Sequence, residues 1–403
     1  MLSPSETKTP VSVLCLITAL FAGGAEMMLY RLLSRLDRTK FNPQVVSMMD
    51  LGPVSEKIRA LGIPVRSLGM SQGMPNPLAL LKLVRWLQCD KPDVIQTWMY
   101  HADLLGSFAA KLAGNIAISW NIRHSDLSSK ESKKLTRVTA RLCARLSRWA
   151  PRKIVCCSES ARNVHAALGY ASDKMVVIPN GYDLDICKPD LAARRSVRME
   201  LEISETAPII GLVARFNPQK DHRTFLRAAG LLHRDMPDVH FILCGEQITN
   251  QNIDLMKWIN DAGIQDRCHL LGRRDDIPQI NATFDIASLS SSFGEGFPNV
   301  VAEAMSCGIP CVVTDVGDAA LIVGETGMVV PPRDPTMLAD AWRTMLNKDR
   351  ETRLHLGLAA RQRVRENYNL SQIVSCYESL FEELACESLF QKLPSSRRAY
   401  VRD

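Results

Sequence analysis

Apolar positions over the first 180 residues fall into short continuous runs, many β-branched, separated by stretches with apolar residues every three or four positions. The runs predict strands at 11–18, 44–48, 65–68, 94–97, 116–120, 153–156 and 175–178. The 3.6-residue spacing predicts helices near 25–37, 53–61, 77–88, 102–113, 132–149 and 159–168. Continuous apolar strands separated by helices are the pattern of a parallel sheet covered on both faces, a doubly wound α/β domain. The alternation breaks at Pro179–Asn180–Gly181 and resumes near Pro208. Strands are then expected at 209–213, 239–244, 268–271, 286–289, 311–314 and 328–330, with helices near 222–234, 251–261, 299–307 and 335–346. Two long helical patterns, 350–366 and 371–389, finish the chain.

The expected organisation is thus a Rossmann-like domain over 1–180, a linker with an entry helix over 181–207, a second Rossmann-like domain over 208–370, and a helix and tail over 371–403. In such sheets ligands bind outside the carboxyl ends of the strands, so functional residues are expected in the loops that follow them. Two domains of this kind are expected to face each other across a cleft.

Composition narrows the class. Of 403 residues, 46% are hydrophobic and 23% charged, the balance of a globular protein rather than a fibrous or disordered one. No apolar run approaches the roughly 20 residues needed to cross a bilayer. Lys8 followed by the apolar run 11–22 and Gly23–Gly24–Ala25 also fits a signal peptide. A buried first strand is the preferred reading, because an amphipathic helical pattern continues directly after it. The twelve cysteines form no CxxC pair and no regular spacing, which fits free thiols in a reducing, cytoplasmic compartment.

The net charge of +6 is unevenly spread: residues 1–180 hold 24 basic and 12 acidic side chains, and the remainder holds 25 and 31. The basic excess is densest between Arg123 and Lys153, with ten Lys or Arg against two acids. On the helix expected at 132–149, Lys133, Arg137, Arg141, Arg145 and Arg148 form a stripe. Leu135, Val138, Leu142, Leu146 and Trp149 lie elsewhere around it. Such a helix suits an anionic membrane surface; the competing reading is a solvated helix whose apolar face packs on the sheet. Nucleic acid is not expected as a partner, since no aromatic-interleaved basic groove is present.

Candidate chemistry concentrates in the second half. After the strand at 209–213 come Arg215 and Lys220, two cations in a strand-to-helix loop where a diphosphate would be held, helped by the helix N-terminus. Surface charge is the alternative. After the strand at 286–289 come Glu295, Gly296, Phe297, Pro298 and Asn299, with Glu303 farther along the helix. Amides at 296–299 would offer donors to a phosphate or sugar oxygen, and two carboxylates beside them would bind hydroxyls. An acidic first turn that complements the helix dipole explains Glu295 equally, but not Glu303 among apolar positions.

Glu295 and Glu303, with seven residues between them, resemble the paired-glutamate motif of retaining glycosyltransferase family 4, whose fold is the two-domain GT-B architecture. Arg215 and Lys220 are similar to that family's diphosphate-binding pair, Gly23–Gly24 to its first glycine loop, and Pro179–Asn180–Gly181 with Asp183 to its interdomain turn. The resemblance covers about residues 11–335. It implies a nucleotide-diphospho-sugar donor, with Glu303 on the ribose, Glu295 on the sugar, the 296–299 loop around sugar and phosphates, and Arg215 and Lys220 on the leaving diphosphate. It implies retention of anomeric configuration and surface polysaccharide assembly on a lipid-linked saccharide acceptor. The segments around His101 and His124 resemble histidine motifs of family members that build bacterial surface polysaccharides. His124 is expected at the sugar, with His101, Arg123 and Asp126 towards the acceptor, and closure of the domains is expected to bring donor and acceptor together. Two departures stand out: Cys244–Gly245–Glu246–Gln247 replaces the usual Gly-Asp/Glu-Gly, and Asp318 and Leu321 stand where a second Gly and a Glu are common.

Asp183–Leu184–Asp185 has the spacing of a metal-binding acid pair, but it follows a turn, and no required metal or other cofactor is expected. Two rivals share the architecture: a nucleotide-sugar 2-epimerase, which needs no acceptor, and a non-catalytic nucleotide-sugar-binding subunit. A hydride-transfer enzyme is disfavoured because no G-x-G-x-x-G follows the first strand.

Overall fold

The computed structural model describes residues 9–21, 23–71, 76–125 and 134–392. The chain divides into two compact units, Met1–Gly181 with Leu370–Asp403, and Tyr182–Asn369.

In the first unit the described strands are β1 (Val11–Ile17), β2 (Phe41–Ser47), β3 (Val65–Ser67), β4 (Val94–Trp98), β5 (Ala117–Ile122), β6 (Lys153–Cys156) and β7 (Met175–Val177). Between them lie α1 (Gly24–Arg35), α2 (Pro53–Ala60), α3 (Pro77–Asp90), α4 (Tyr100–Leu112), α5 (Lys134–Leu146) and α6 (Glu159–Ala167). All pairings are parallel, in the order β3-β2-β1-β4-β5-β6-β7. Parallel neighbours require crossover connections, and right-handed crossovers send α1 and α2 to one face and the series from α3 onward to the other. Accordingly α1 packs on α2, while α3 packs on α4 and α4 on α5. The strand order reverses between β1 and β4, with Ile17 opposite Trp98, so the loops after these two strands flank the switch point.

In the second unit the chain forms α7 (Leu191–Glu200), β8 (Ile209–Val213), α8 (His222–Asp235), β9 (His240–Cys244), α9 (Ile253–Ala262), β10 (Cys268–Leu270) and α10 (Ile277–Thr283). It continues through β11 (Ile286–Leu289), α11 (Asn299–Ser306), β12 (Cys311–Thr314), α12 (Ala319–Val323), β13 (Met328–Val330), α13 (Pro335–Leu346) and α14 (Arg350–Asn367). The sheet is again parallel, in the order β10-β9-β8-β11-β12-β13, with its switch point between β8 and β11. Phe225, Phe241 and Trp342 pack edge to face in its core.

The last helix, α15 (Leu370–Lys392), returns to the first unit. Tyr377 stacks on Trp98 at 6.3 Å between ring centroids, Phe381 meets Phe41 at 6.1 Å, and the Asn121 amide donates to the Tyr377 hydroxyl at 2.9 Å. Burying each such aromatic ring stabilises by about 1.5–3 kcal/mol. Of the residues expected as a linker with an entry helix, 191–200 form α7, which belongs to the second unit. Arg194 on α7 donates to the Thr283 carbonyl at 2.7 Å and pairs with Asp285, and Arg198 pairs with the other oxygen of Asp285. These cations tie 191–200 to the end of α10, a short helix whose seven residues carry too little periodicity to be predicted.

Candidate functional site

The second unit gathers its candidate residues at the switch point. Leaving β8, the chain makes two consecutive side-chain-capped turns. The Asn217 side chain accepts from the Gln219 amide at 2.9 Å, and Asp221, at φ 46°, accepts from the Thr224 amide at 3.1 Å. Lys220 is held between the two caps. The loop leaving β11 closes on the same turn: the Ser290 hydroxyl donates to the Lys220 carbonyl at 2.7 Å, and the Ser292 amide donates to the Gln219 carbonyl at 2.9 Å.

Glu295 sits at the centre of this arrangement. Its Oε1 accepts from Lys220 Nζ at 2.5 Å and from the Ser291 hydroxyl at 2.6 Å. The Lys220 and Glu295 side chains keep only 17% and 8% of their exposure. The end of β12 and the loop after it brace them. Thr314 Oγ1 donates to the Ser291 carbonyl at 2.7 Å, and the Asp318 amide donates to the Gly296 carbonyl at 3.0 Å. Gly317, at φ +62°, lies so close that a Cβ there would sit 2.1 Å from the Glu295 carbonyl oxygen. Only glycine fits both the conformation and the space. An ion pair this buried costs desolvation that its own attraction roughly offsets, so it is a poor stability device.

Arg215 lies on the same loop as Lys220 but is exposed. Glu303 is half-buried on α11, just over one turn from its start. Of the 296–299 loop, Pro298 has no amide N–H, so the backbone N–H groups there belong to Gly296, Phe297 and Asn299. That corrects an expectation of four. The Phe297 ring is buried, stacked on Tyr182 at 6.2 Å and edge-on to Tyr368 at 5.2 Å, so its side chain serves packing while its backbone shapes the loop. Asn299 Oδ1 accepts from the Tyr182 hydroxyl at 2.5 Å. Ser291, Thr314 and Gly317 were missed by the sequence reading. The Ser290–Ser291–Ser292 run straight after an apolar strand was the available signal.

In the first unit the candidates spread over three loops. Gly23 and Gly24 open α1 after β1, and the Gly23 carbonyl accepts from the Met27 amide at 3.0 Å. Glu26, in the first turn, is a site the sequence reading passed over. Burial raises its carboxyl pKa, opposed by its own backbone hydrogen bond and by the charge of Arg123. Arg123, after β5, lies over the Trp98 ring at 4.8 Å and donates to Asn180 Oδ1 at 2.6 Å, while its Nη1 is buried with no hydrogen-bond partner. His101 is half-buried in the first turn of α4, and burial lowers its pKa. His124 is exposed, and Asp126 lies outside the described residues. Asp183 closes a local turn, accepting from the Asp185 amide at 3.0 Å. Among the described residues no group of three or more His, Cys, Asp or Glu is arranged to hold a metal ion, and all twelve cysteines are free.

Helix α5 differs from the expectation of a solvated helix whose apolar face packs on the sheet. Its small residues Ala140, Cys143 and Ala144 pack inward, whereas Leu135, Val138 and Leu142 are exposed, as is Trp149 beyond its end at 79%. Arg141, Arg145 and Arg148 are exposed alongside them, and Lys133 lies outside the described residues. On neighbouring helices Leu78 and Leu81 of α3 and Phe108 and Leu112 of α4 are exposed as well. Among the described residues no helix is long and apolar enough to cross a membrane.

Comparison with known proteins follows this geometry. The sequence pattern of the family described as Glycosyl transferases group 1 matches residues 207–348, and that of Glycosyltransferase Family 4 matches residues 22–186. The chain is 27% identical to the UDP-Gal:alpha-D-GlcNAc-diphosphoundecaprenol alpha-1,3-galactosyltransferase of Escherichia coli over 68% of this chain and 70% of that one. It is 30% identical to the D-inositol 3-phosphate glycosyltransferase of Corynebacterium efficiens over 52% of this chain and 51% of that protein, about half its length. The fold matches Anabaena HepE, solved in complex with UDP and glucose, with a TM-score of 0.80 at 22% identity, covering 93% of this chain and 100% of that one. Two parallel-sheet units, each matched by its own glycosyltransferase family pattern, make this chain a glycosyltransferase of group 1, family 4, with the GT-B fold.

Proposed function

We propose that the enzyme transfers a hexose from a nucleoside-diphospho-sugar, with retention of anomeric configuration, to a lipid-linked saccharide in surface polysaccharide assembly. The observation that carries the donor half is the Lys220–Glu295 pair, fixed by three loops at the switch point of the second sheet. Breaking a glycosyl–phosphate bond moves negative charge onto the leaving diphosphate. Lys220 and Arg215 neutralise that charge, and cations already in place act more strongly on the transition state than on the ground state. Glu295 orients the sugar hydroxyls, Glu303 the ribose, and the amides of Gly296, Phe297 and Asn299 line the sugar and phosphates. His124 approaches the sugar, and His101, Arg123 and Asp126 take the acceptor side. Retention is read from the family resemblance. A UDP-sugar donor is favoured because the Escherichia coli relative is named for UDP-Gal and the Anabaena structure holds UDP. No step in this scheme calls on a metal.

The acceptor half rests on α5. Exposed Leu135, Val138, Leu142 and Trp149 among Arg141, Arg145 and Arg148 suit the boundary of an anionic bilayer, where each basic residue contributes about 1 kcal/mol. The relative named for a diphosphoundecaprenol-linked acceptor points the same way. We place the enzyme on the cytoplasmic face of a membrane.

A thermal-shift series with UDP, GDP, ADP and CMP and their sugar conjugates tests the donor site. Ligand at 100 times its Kd should stabilise the fold by about 2.7 kcal/mol. A shift with one nucleoside diphosphate, lost in Lys220→Ala, supports the reading, and no shift with any of them overturns it. Release of nucleoside diphosphate only when a lipid-linked saccharide is added separates transfer from epimerisation and from a silent binding subunit.

A further inference from the structure

Away from the switch point, helices α8 and α9 enclose a groove of about 330 Å³. Its floor is made of small residues where the helices cross. Gly230 lies against Ala262 so closely that a Cβ there would sit 2.8 Å from the Ala262 carbonyl oxygen, so no larger residue fits without separating the helices. The walls carry Arg223, Arg227 and Arg234 from α8 and Trp258 from α9, with Asp261 the acid among the lining residues. The three arginines are exposed, and among the described residues none of their side chains forms an ion pair or hydrogen bond, whereas other arginines of this unit, such as Arg194, Arg274 and Arg343, are engaged with carboxylates. At 1.5 Å of rise per residue the three side chains leave the helix over roughly 16 Å. Three unneutralised guanidiniums beside a half-buried indole combine fork-shaped anion recognition with a flat apolar platform. Guanidiniums select carboxylate or phosphate, and the indole face suits the apolar face of a pyranose ring. The groove also connects to the donor loop: Phe216, next to Arg215, packs on Trp258 at 5.6 Å and on His222 at 5.4 Å.

We propose that this groove is a second binding site, for an anionic saccharide carrying several carboxylate or phosphate groups, separate from the nucleotide-sugar site. The inference does not rest on the donor reading, because it uses none of the same residues. Calorimetric titration of the full chain with an oligogalacturonate tetrasaccharide tests it, with and without saturating UDP. Maltotetraose serves as the neutral counterpart and inorganic phosphate as the bare anion. The expected result is saccharide binding in both conditions that weakens at least tenfold in the Arg223→Gln/Arg227→Gln/Arg234→Gln variant and severalfold in Trp258→Ala. Maltotetraose and phosphate should bind at least tenfold more weakly, and Lys220→Ala should leave saccharide binding unchanged. Equal binding by the triple variant, loss of binding in Lys220→Ala, phosphate binding as tight as the saccharide, or no saccharide binding would each overturn the proposal. Failure of the donor reading is registered separately, as the absence of any heat on adding UDP.

Discussion

The two units share a sheet architecture but spend their polar residues differently. In the second, loops after three strands interlock through Lys220, Ser290, Ser291, Glu295 and Thr314, so the ion pair is held before any ligand arrives. In the first, the candidate side chains stand apart: His124 exposed, His101 half-buried, and Arg123 spent on Trp98 and Asn180. The first unit instead exposes large apolar residues along α3, α4 and α5. Stabilising charge that develops in a bond-breaking step rewards rigid, prepaid electrostatics, whereas meeting a large acceptor at a surface rewards exposed area.

The sharpest way to break this contrast is Lys220→Ala. It should lower kcat by about 10²–10³, the scale for losing one preorganised charge-stabilising donor, and leave Glu295 buried without its cation. A single-turnover assay checks it. Near-normal turnover would place the chemistry elsewhere. Gly317→Ala should lower activity without touching a charge, because its Cβ would displace the Glu295 backbone.

Acid should weaken both units, and one substitution should separate their responses. Burial lowers His165 in the first unit to about 4, and lowers His222 in the second to about 4. Both are neutral when folded and gain a proton more easily when unfolded. Their contribution is therefore complete above about pH 6.5 and is lost as pH falls from there towards 4, by up to about 3 kcal/mol each. His165 accepts from the Tyr100 hydroxyl at 2.6 Å while its Nδ1 donates to the Ala161 carbonyl at 2.7 Å, so protonation breaks a paired network. His165→Gln should flatten the acid slope of hydrogen exchange in the first unit and leave that of the second in place.

Smaller effects test the proposed membrane contact. Arg141→Gln with Arg145→Gln should weaken binding to vesicles containing anionic lipid by about 20–30-fold, while neutral vesicles show little change. No loss on either lipid would mean that apolar insertion alone docks α5. The smallest effect is expected at Gln247, which holds φ +62° where the family resemblance expects glycine. Gln247→Gly should stabilise the second unit by about 0.5–1 kcal/mol by relieving the left-handed backbone; calorimetry checks it, and destabilisation would show that the added freedom of the unfolded chain wins.

Much of this was legible in the sequence for a local reason. Apolar runs and 3.6-residue spacing follow from which face of each element is buried, so strands such as 209–213 and 311–314 were predicted to the residue. Arg215, Lys220, Glu295 and Glu303 stood out as candidates because each follows a strand end or sits polar among apolar positions. The bracing of Glu295 by Ser291, Thr314 and Gly317 was not, since those residues meet only when separate strands lie side by side. The same is true of α5. Its stripe of arginines was written in the sequence, but burial of Ala140, Cys143 and Ala144, and exposure of Leu135, Val138 and Leu142, depended on which side α4 and the sheet took. The groove between α8 and α9 exists only because Gly230 meets Ala262, thirty-two positions away. Sequence by itself determined the strands and the longer helices, the parallel class and the family, because these are set by local periodicity and by residue type at strand ends. Tertiary structure alone decided which polar groups share a partner and which apolar ones find none, because both depend on contacts between segments distant in the chain.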